Sequence, residues 1–184
     1  MDLWLWIAIA VVVVFLLWLW GMYNRLIRLK NRVENGWSQI DVQLKRRADL
    51  IPNLVKTVKG YVKHEKTVLE NVTKARSALV SAKNVPSKAK AENQLTGALK
   101  TLFAVAEAYP DLKANENFKM LQEELAGTEN KISYARQFYN DTVMRFNQTI
   151  EVFPTKMFAK NLGFGRKPFF ETKGKDREVV KVDL

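Results

Sequence analysis

Few residues in this chain of 184 could do chemistry. It has no cysteine and one histidine, His64, so a thiolate metal site, a disulfide framework and any site needing two imidazoles are excluded. A di-iron carboxylate bundle, which takes Glu-x-x-His motifs from facing helices, is excluded with them. Glu65, Glu70, Glu123, Glu124 and Glu129 could offer oxygens to a divalent cation. Glu and Lys alternate around them as on solvated helix faces, however, and that is the plainer reading. His64, beside Glu65 and Lys66, reads as a surface histidine rather than a ligand or general base. No glycine-rich phosphate loop, nucleophile elbow or strand scaffold is present to carry either chemistry. The expectation is a non-enzymatic protein without cofactor or metal.

Two stretches combine charge with proline. RRADLIPNLV (46–55) places Arg46, Arg47 and Asp49 beside Pro52 and Asn53; EAYPDLKAN (107–115) places Glu107, Tyr109, Asp111 and Asn115 around Pro110. Arg–carboxylate pairs and Asp or Asn caps can close two adjacent turns. The same side chains can also present a charged recognition surface to a protein partner, and the two roles are compatible.

The elements decide where these groups lie. From Leu3 to Trp20 the chain reads LWLWIAIAVVVVFLLWLW, 18 residues without a charge, which at ~1.5 Å rise is close to a bilayer's hydrocarbon thickness. Trp4 and Trp6 mark one end and Trp18 and Trp20 the other, as expected of rings anchoring at the two interfaces. A cleaved signal peptide fits poorly: the positive n-region is missing, the apolar run is too long and no small-x-small site follows. Arg25, Arg28, Lys30 and Arg32 follow the span, and no basic residue precedes it. The positive-inside rule therefore places the short N-terminus outside and the C-terminal bulk in the cytoplasm, as a single-pass protein of the cell (inner) membrane. The four basic side chains also have anionic headgroups within reach.

Beyond the span the pattern is helical. Leu26, Val33, Trp37, Ile40 and Leu44 repeat at spacings of three and four, and Pro52 is expected to end this first segment. A second runs from about Asn53 to Lys83, with Val55, Val58, Tyr61 or Val62, Leu69, Val72 and Leu79 on its stripe. The break at 84–87 offers Ser87 as an N-cap. A third segment carries Leu95, Leu99, Leu102, Phe103 and Ala106. In the fourth, Phe118, Leu121, Leu125, Thr128, Ile132, Ala135, Tyr139, Thr142 and Phe146 form an unbroken seam. Gly36, Gly60, Gly97 and Gly127 inside these segments are expected to let helices approach or make room for rings such as Trp37.

The fold class expected is all-α: a transmembrane helix (1–22), an antiparallel up-and-down four-helix bundle of long helices (23–151) and a basic, aromatic tail (152–184). Four-helix parity brings the two proline stretches together at the membrane-distal tip and returns the tail to the bilayer. There Phe164, Arg166, Lys167, Phe169 and Phe170 would contact lipid.

The strings IDVQLKRRADLIPNLV (40–55), VKGYVKHE (58–65), EAYPDLKANENFKMLQEEL (107–125), TENKISYARQFYN (128–140) and FGRKPFFE (164–171) are similar to those of the LemA family, small bacterial membrane-anchored helical proteins. The resemblance covers nearly the whole chain and implies a bundle of long helices. It carries no catalytic or binding residue across, because the family's biochemical function is not established.

The net charge of +11 and pI near 9.8 would suit nucleic acid as well as lipid. The excess is spread as +8 over 23–151 and +4 over 152–184, with no reading helix or stacking platform, so anionic lipid is the simpler explanation. The partners expected are the lipid bilayer and a membrane or cytoplasmic protein, docked by a scaffold or adaptor. Self-assembly into a homo-oligomer that shapes or stabilises the membrane is the alternative.

Overall fold

The computed structural model describes residues 3–62 and 65–171, and among them every regular element is a helix. They are α1 (Leu3–Lys59), α2 (Lys66–Ser81), α3 (Val85–Ala106), α4 (Pro110–Ala114), α5 (Glu116–Glu151) and α6 (Thr155–Ala159). His64 and the tail beyond Glu171 lie outside the described residues.

α1 has two environments. From Leu3 to Trp18 every side chain is exposed, on a segment long and apolar enough to cross a membrane. From Met22 onward one stripe is buried, with Leu26, Ile40, Leu44, Ile51, Leu54 and Val58 at 1% exposure or less. All nine seam residues expected on the fourth segment are buried in α5. The two stripes pack on each other, and at Gly36 the helices approach closely enough that a side chain would press on the Phe138 ring. An added Cβ there would lie 3.3 Å from the Phe138 ring and 3.4 Å from the Tyr139 Cα. Gly97 and Gly127 face open space, so the role expected of the interior glycines belongs to Gly36.

Residues facing each other across α1 and α5 run in opposite order: Gly36 meets Tyr139, and Arg47 meets Glu129. α2 packs on α1 and α3, burying Leu69, Val72, Ala75 and Leu79. α3 follows α1 in the same order, Lys88 meeting Asp41 and Glu92 meeting Arg47. α3 starts at an Asn84 N-cap, whose side chain accepts from the Ser87 amide while the Ser87 hydroxyl accepts from the Asn84 amide. Asn84, not Ser87, is therefore the cap, in a reciprocal box.

Pro52 does not end the first helix. α1 passes through it to Lys59, and the chain turns instead at Gly60 and Tyr61, after Lys56 and Lys59 in the last turn. A proline at 52 deprives the Ala48 carbonyl, four residues earlier, of its helical N–H donor. In its place Arg76 of α2 donates its Nε–H to that carbonyl at 2.8 Å. A donor from a second helix fills the gap and ties α2 to α1 at that level.

The tail folds back on the helices as far as it is described. After α6 an extended segment runs along α5, gripped by two asparagines seven residues apart on that helix. Asn147 accepts from the Lys167 amide at 2.8 Å and donates to the Lys167 carbonyl at 2.9 Å. Asn140 does the same to Phe170, at 2.9 and 3.2 Å. The Tyr139 hydroxyl donates to the Pro168 carbonyl between them at 2.8 Å. These amides take the place of a neighbouring strand. Phe164 and Phe170 consequently belong to the core, at 8% and 1% exposure. Phe170 rests near Trp37, and Phe164 against Tyr23 and Phe146. This corrects the expectation that both phenylalanines face lipid.

Candidate functional site

The structure separates the residues of the two proline stretches. Asn115 donates its side-chain N–H to the Tyr61 hydroxyl at 2.9 Å, so the 107–115 turn meets the end of α1 near residue 61. Arg46 and Arg47 lie about 20 Å back along α1 from that point. The shared tip is thus formed by the Gly60–Tyr61 turn, not by the arginines. At the 107–115 turn Lys113 pairs with Glu107, and the Asn115 side chain caps α5 by accepting from the Phe118 amide at 3.0 Å. Tyr109 is half-buried; Glu107 and Asp111 are exposed.

Arg47 is at 4% exposure and turned inward. Its Nη1 donates to Glu92 of α3 at 2.7 Å and to Glu129 of α5, so three helices converge on one guanidinium. Glu92, at 2% exposure, also accepts from the Thr96 hydroxyl at 2.8 Å. Burial pushes its carboxyl above the usual range, against the opposing pull of Arg47 and the Thr96 hydrogen bond. This cluster is a structural clasp. Its partner on α3 was not singled out from the sequence, since Glu92 carries no local signature of burial, and Glu129 was considered only as a cation ligand on a solvated face, not as a partner of Arg47. Arg46, Asp49, Pro52 and Asn53 are exposed and form the outward face of the same stretch of α1.

Next to this clasp, Lys88 pairs with Asp41 and stands 5.8 Å from the centre of the Trp37 ring; burial lowers its pKa. Burial also raises the Tyr139 hydroxyl to about 12, which keeps it a proton donor to Pro168. Among the described residues no three His, Cys, Asp or Glu side chains converge as metal ligands.

At the other end of the molecule the anchor residues are displayed openly. Trp4, Trp6, Trp18 and Trp20 are 80%, 56%, 40% and 65% exposed. Arg25, Arg28 and Arg32, on one face of α1, are exposed; Lys30, half-buried, approaches Glu34. In the tail Arg166 is exposed and pairs with Glu151 at 2.8 Å, Lys167 is held by its backbone, and Phe169 is 39% exposed.

A long helix whose first segment, Leu3–Trp18, is apolar and exposed, continuous with a helical body in which no ligand set converges among the described residues, marks a membrane-associated protein that is all-helical as far as it is described. A model of the LemA family matches residues 36–184, and the chain belongs to that family. It is 29% identical to Protein LemA of Metamycoplasma hominis, over 89% of this chain and 74% of that protein. It is 24% identical to the magnetosome protein MamQ 2 of Paramagnetospirillum magneticum and 23% identical to the magnetosome protein MamQ of Magnetospirillum gryphiswaldense. Each of those matches covers 82% of this chain and 65% of the magnetosome protein.

Proposed function

We propose that this chain is a non-enzymatic scaffold or adaptor of the cell (inner) membrane, docking a protein partner at its cytoplasmic face. The observation that carries this reading is the continuity of α1. One helix of 57 residues, about 85 Å long, serves both as the apolar anchor and as the spine of the body. The body is thereby held upright at a fixed height. In this reading its helices form an antiparallel up-and-down four-helix bundle of α1, α2, α3 and α5, supported by the opposite residue order across α1 and α5 and the matching order across α1 and α3. The strip Arg46, Asp49, Pro52 and Asn53, left exposed among the described residues, is the docking surface.

A photo-crosslinking residue placed at position 46 or 53 of the full-length protein in native membranes should capture a discrete protein. Arg46→Glu should abolish that adduct without changing the protein's level. A reporter fused after Leu184 should be active only in the cytoplasm. Crosslinks solely to lipid, or an exported reporter, would sink the proposal. Self-assembly, the second reading, is favoured by Val42, Tyr134 and Phe138, apolar side chains 63%, 75% and 41% exposed along one groove between α1 and α5. Crosslinks from position 134 to a second copy, with none from position 46 to another protein, would select it.

A further inference from the structure

The expected lipid-contacting tail residues are partly absorbed into the core, yet the segment just before them is strongly apolar and uncovered. α5 ends at Glu151. From there to Leu162 the chain exposes Val152, Phe153, Met157 and Leu162, at 54%, 80%, 63% and 43%, while Thr155 and Ala159 are buried beneath them. Such a cluster is unusual at a water-facing helix end. Its position explains it. Phe158 of α6 sits edge-on to Phe15 and Trp18 of α1, with ring centres 6.5 and 6.1 Å away. Both partners lie within the uncharged Leu3–Trp20 run. Phe164, further along the tail, meets Tyr23 instead, 5.9 Å away. The chain after α5 therefore continues past the body, reaches roughly 7–12 Å further along the anchor, and returns.

We propose that residues 152–162 are a second membrane-inserting element, a wedge that enters the lipid beside the transmembrane helix at the level of Phe15 and Trp18. The inference rests on the reading of Leu3–Trp20 as the span, because whatever medium surrounds Phe15 and Trp18 also surrounds α6. The depth fits: interfacial helices sink ~5–10 Å into the headgroup and acyl boundary. The charges fit as well. The segment carries two basic residues, Lys156 and Lys160, both exposed, and no acid, and lysines on long stems can reach anionic headgroups while their methylenes stay in the apolar layer. With the wedge beside it, the anchor enters the bilayer as two adjacent elements, which fixes the tilt and rotation of the body.

The absence of native cysteine makes depth measurement direct. Full-length Phe153→Cys, Met157→Cys, Val11→Cys and Val80→Cys variants, each carrying an environment-sensitive fluorophore, would be reconstituted into phosphatidylcholine–phosphatidylglycerol vesicles. Val11 is the control for the span and Val80, 61% exposed on α2, for solvent. Labels at 153 and 157 should be quenched several-fold more by acyl-chain nitroxides than by aqueous iodide, as at 11, and the label at 80 the reverse. Iodide quenching at 153 and 157 with lipid quenching at 11 would overturn the wedge and leave the span intact. Iodide quenching at 11 would overturn the span reading itself. Labels at 153 and 157 shielded from both quenchers would point to a protein cover and overturn the wedge. Lys156→Glu combined with Lys160→Glu should lower lipid quenching at 153 in anionic but not in neutral vesicles; equal quenching in both would reject the headgroup role of the lysines.

Discussion

At the scale of single residues, the most consequential group is Glu92, a carboxylate taken out of water and facing Arg47 across two helices. Removing one partner of a buried pair leaves the other unneutralised, so Arg47→Ala should cost about 3–5 kcal/mol. The pH dependence has a definite sign. Because burial raises the Glu92 carboxyl above its ordinary 4.5, the native state holds its proton over the interval between the unfolded and the folded value, where the unfolded chain has released it. The Glu92 contribution to stability is then fully present below about pH 4.5 and is lost as pH rises through the folded value. Glu92→Gln, which can still hydrogen-bond Arg47 and Thr96 while Glu129 balances the guanidinium, should remove that slope. Urea midpoints of the detergent-solubilised protein across pH 4–7 would show it; an identical slope in the variant would mean that Glu92 ionises in the fold as it does in the unfolded chain.

Among the elements, Pro52 shows where sequence reasoning reached its limit. The rule that proline ends a helix counts hydrogen bonds within the helix, and here the missing donor comes from Arg76, 24 residues further along the chain. No local window contains that information. The true end carries a signal of its own in Lys56, Lys59 and Gly60, a basic last turn followed by glycine. The α5 seam was fully legible, since its periodicity runs unbroken for eight turns with one face buried throughout. The tail was not, because a mixture of phenylalanine and basic residues suits a lipid surface and a core-docked strap equally, and only Asn140 and Asn147 on the other partner decide. The Pro52–Arg76 relation predicts a coupling. Arg76→Ala should cost about 1–3 kcal/mol by leaving the Ala48 carbonyl without a donor. With Pro52→Ala, which returns an N–H to that position, the same substitution should cost markedly less. A double-mutant cycle on thermal unfolding measures the difference; strictly additive losses would mean that Arg76 acts only through its charge.

For the whole molecule, the strap redraws the boundary of the folded body. A division at residue 151 would leave the helical body complete and the remainder an appendage. In the structure Phe164 and Phe170 instead cover Phe146 and Trp37, and the two asparagines and Tyr139 hold the backbone between them. Burying two phenylalanine side chains is worth roughly 3–6 kcal/mol, a large share of the ~5–15 kcal/mol that typical domains have. A soluble fragment covering 24–171 should therefore fold as a stable helical unit, and one ending at 151 should melt well below it or expose enough apolar surface to aggregate. Asn140→Ala with Asn147→Ala in the longer fragment should fall between the two and admit protease cleavage near Gly163–Gly165, the glycine pair flanking Phe164. Within the same fragment Leu125→Ala, buried on the α5 seam, should cost about 2–5 kcal/mol whatever the strap does. If fragments 24–151 and 24–171 unfold at the same temperature, the strap adds nothing to the fold. Phe164 and Phe170 would then be free to leave the core, and the tail as a whole would become a candidate for the membrane surface from which the packing here withdraws it.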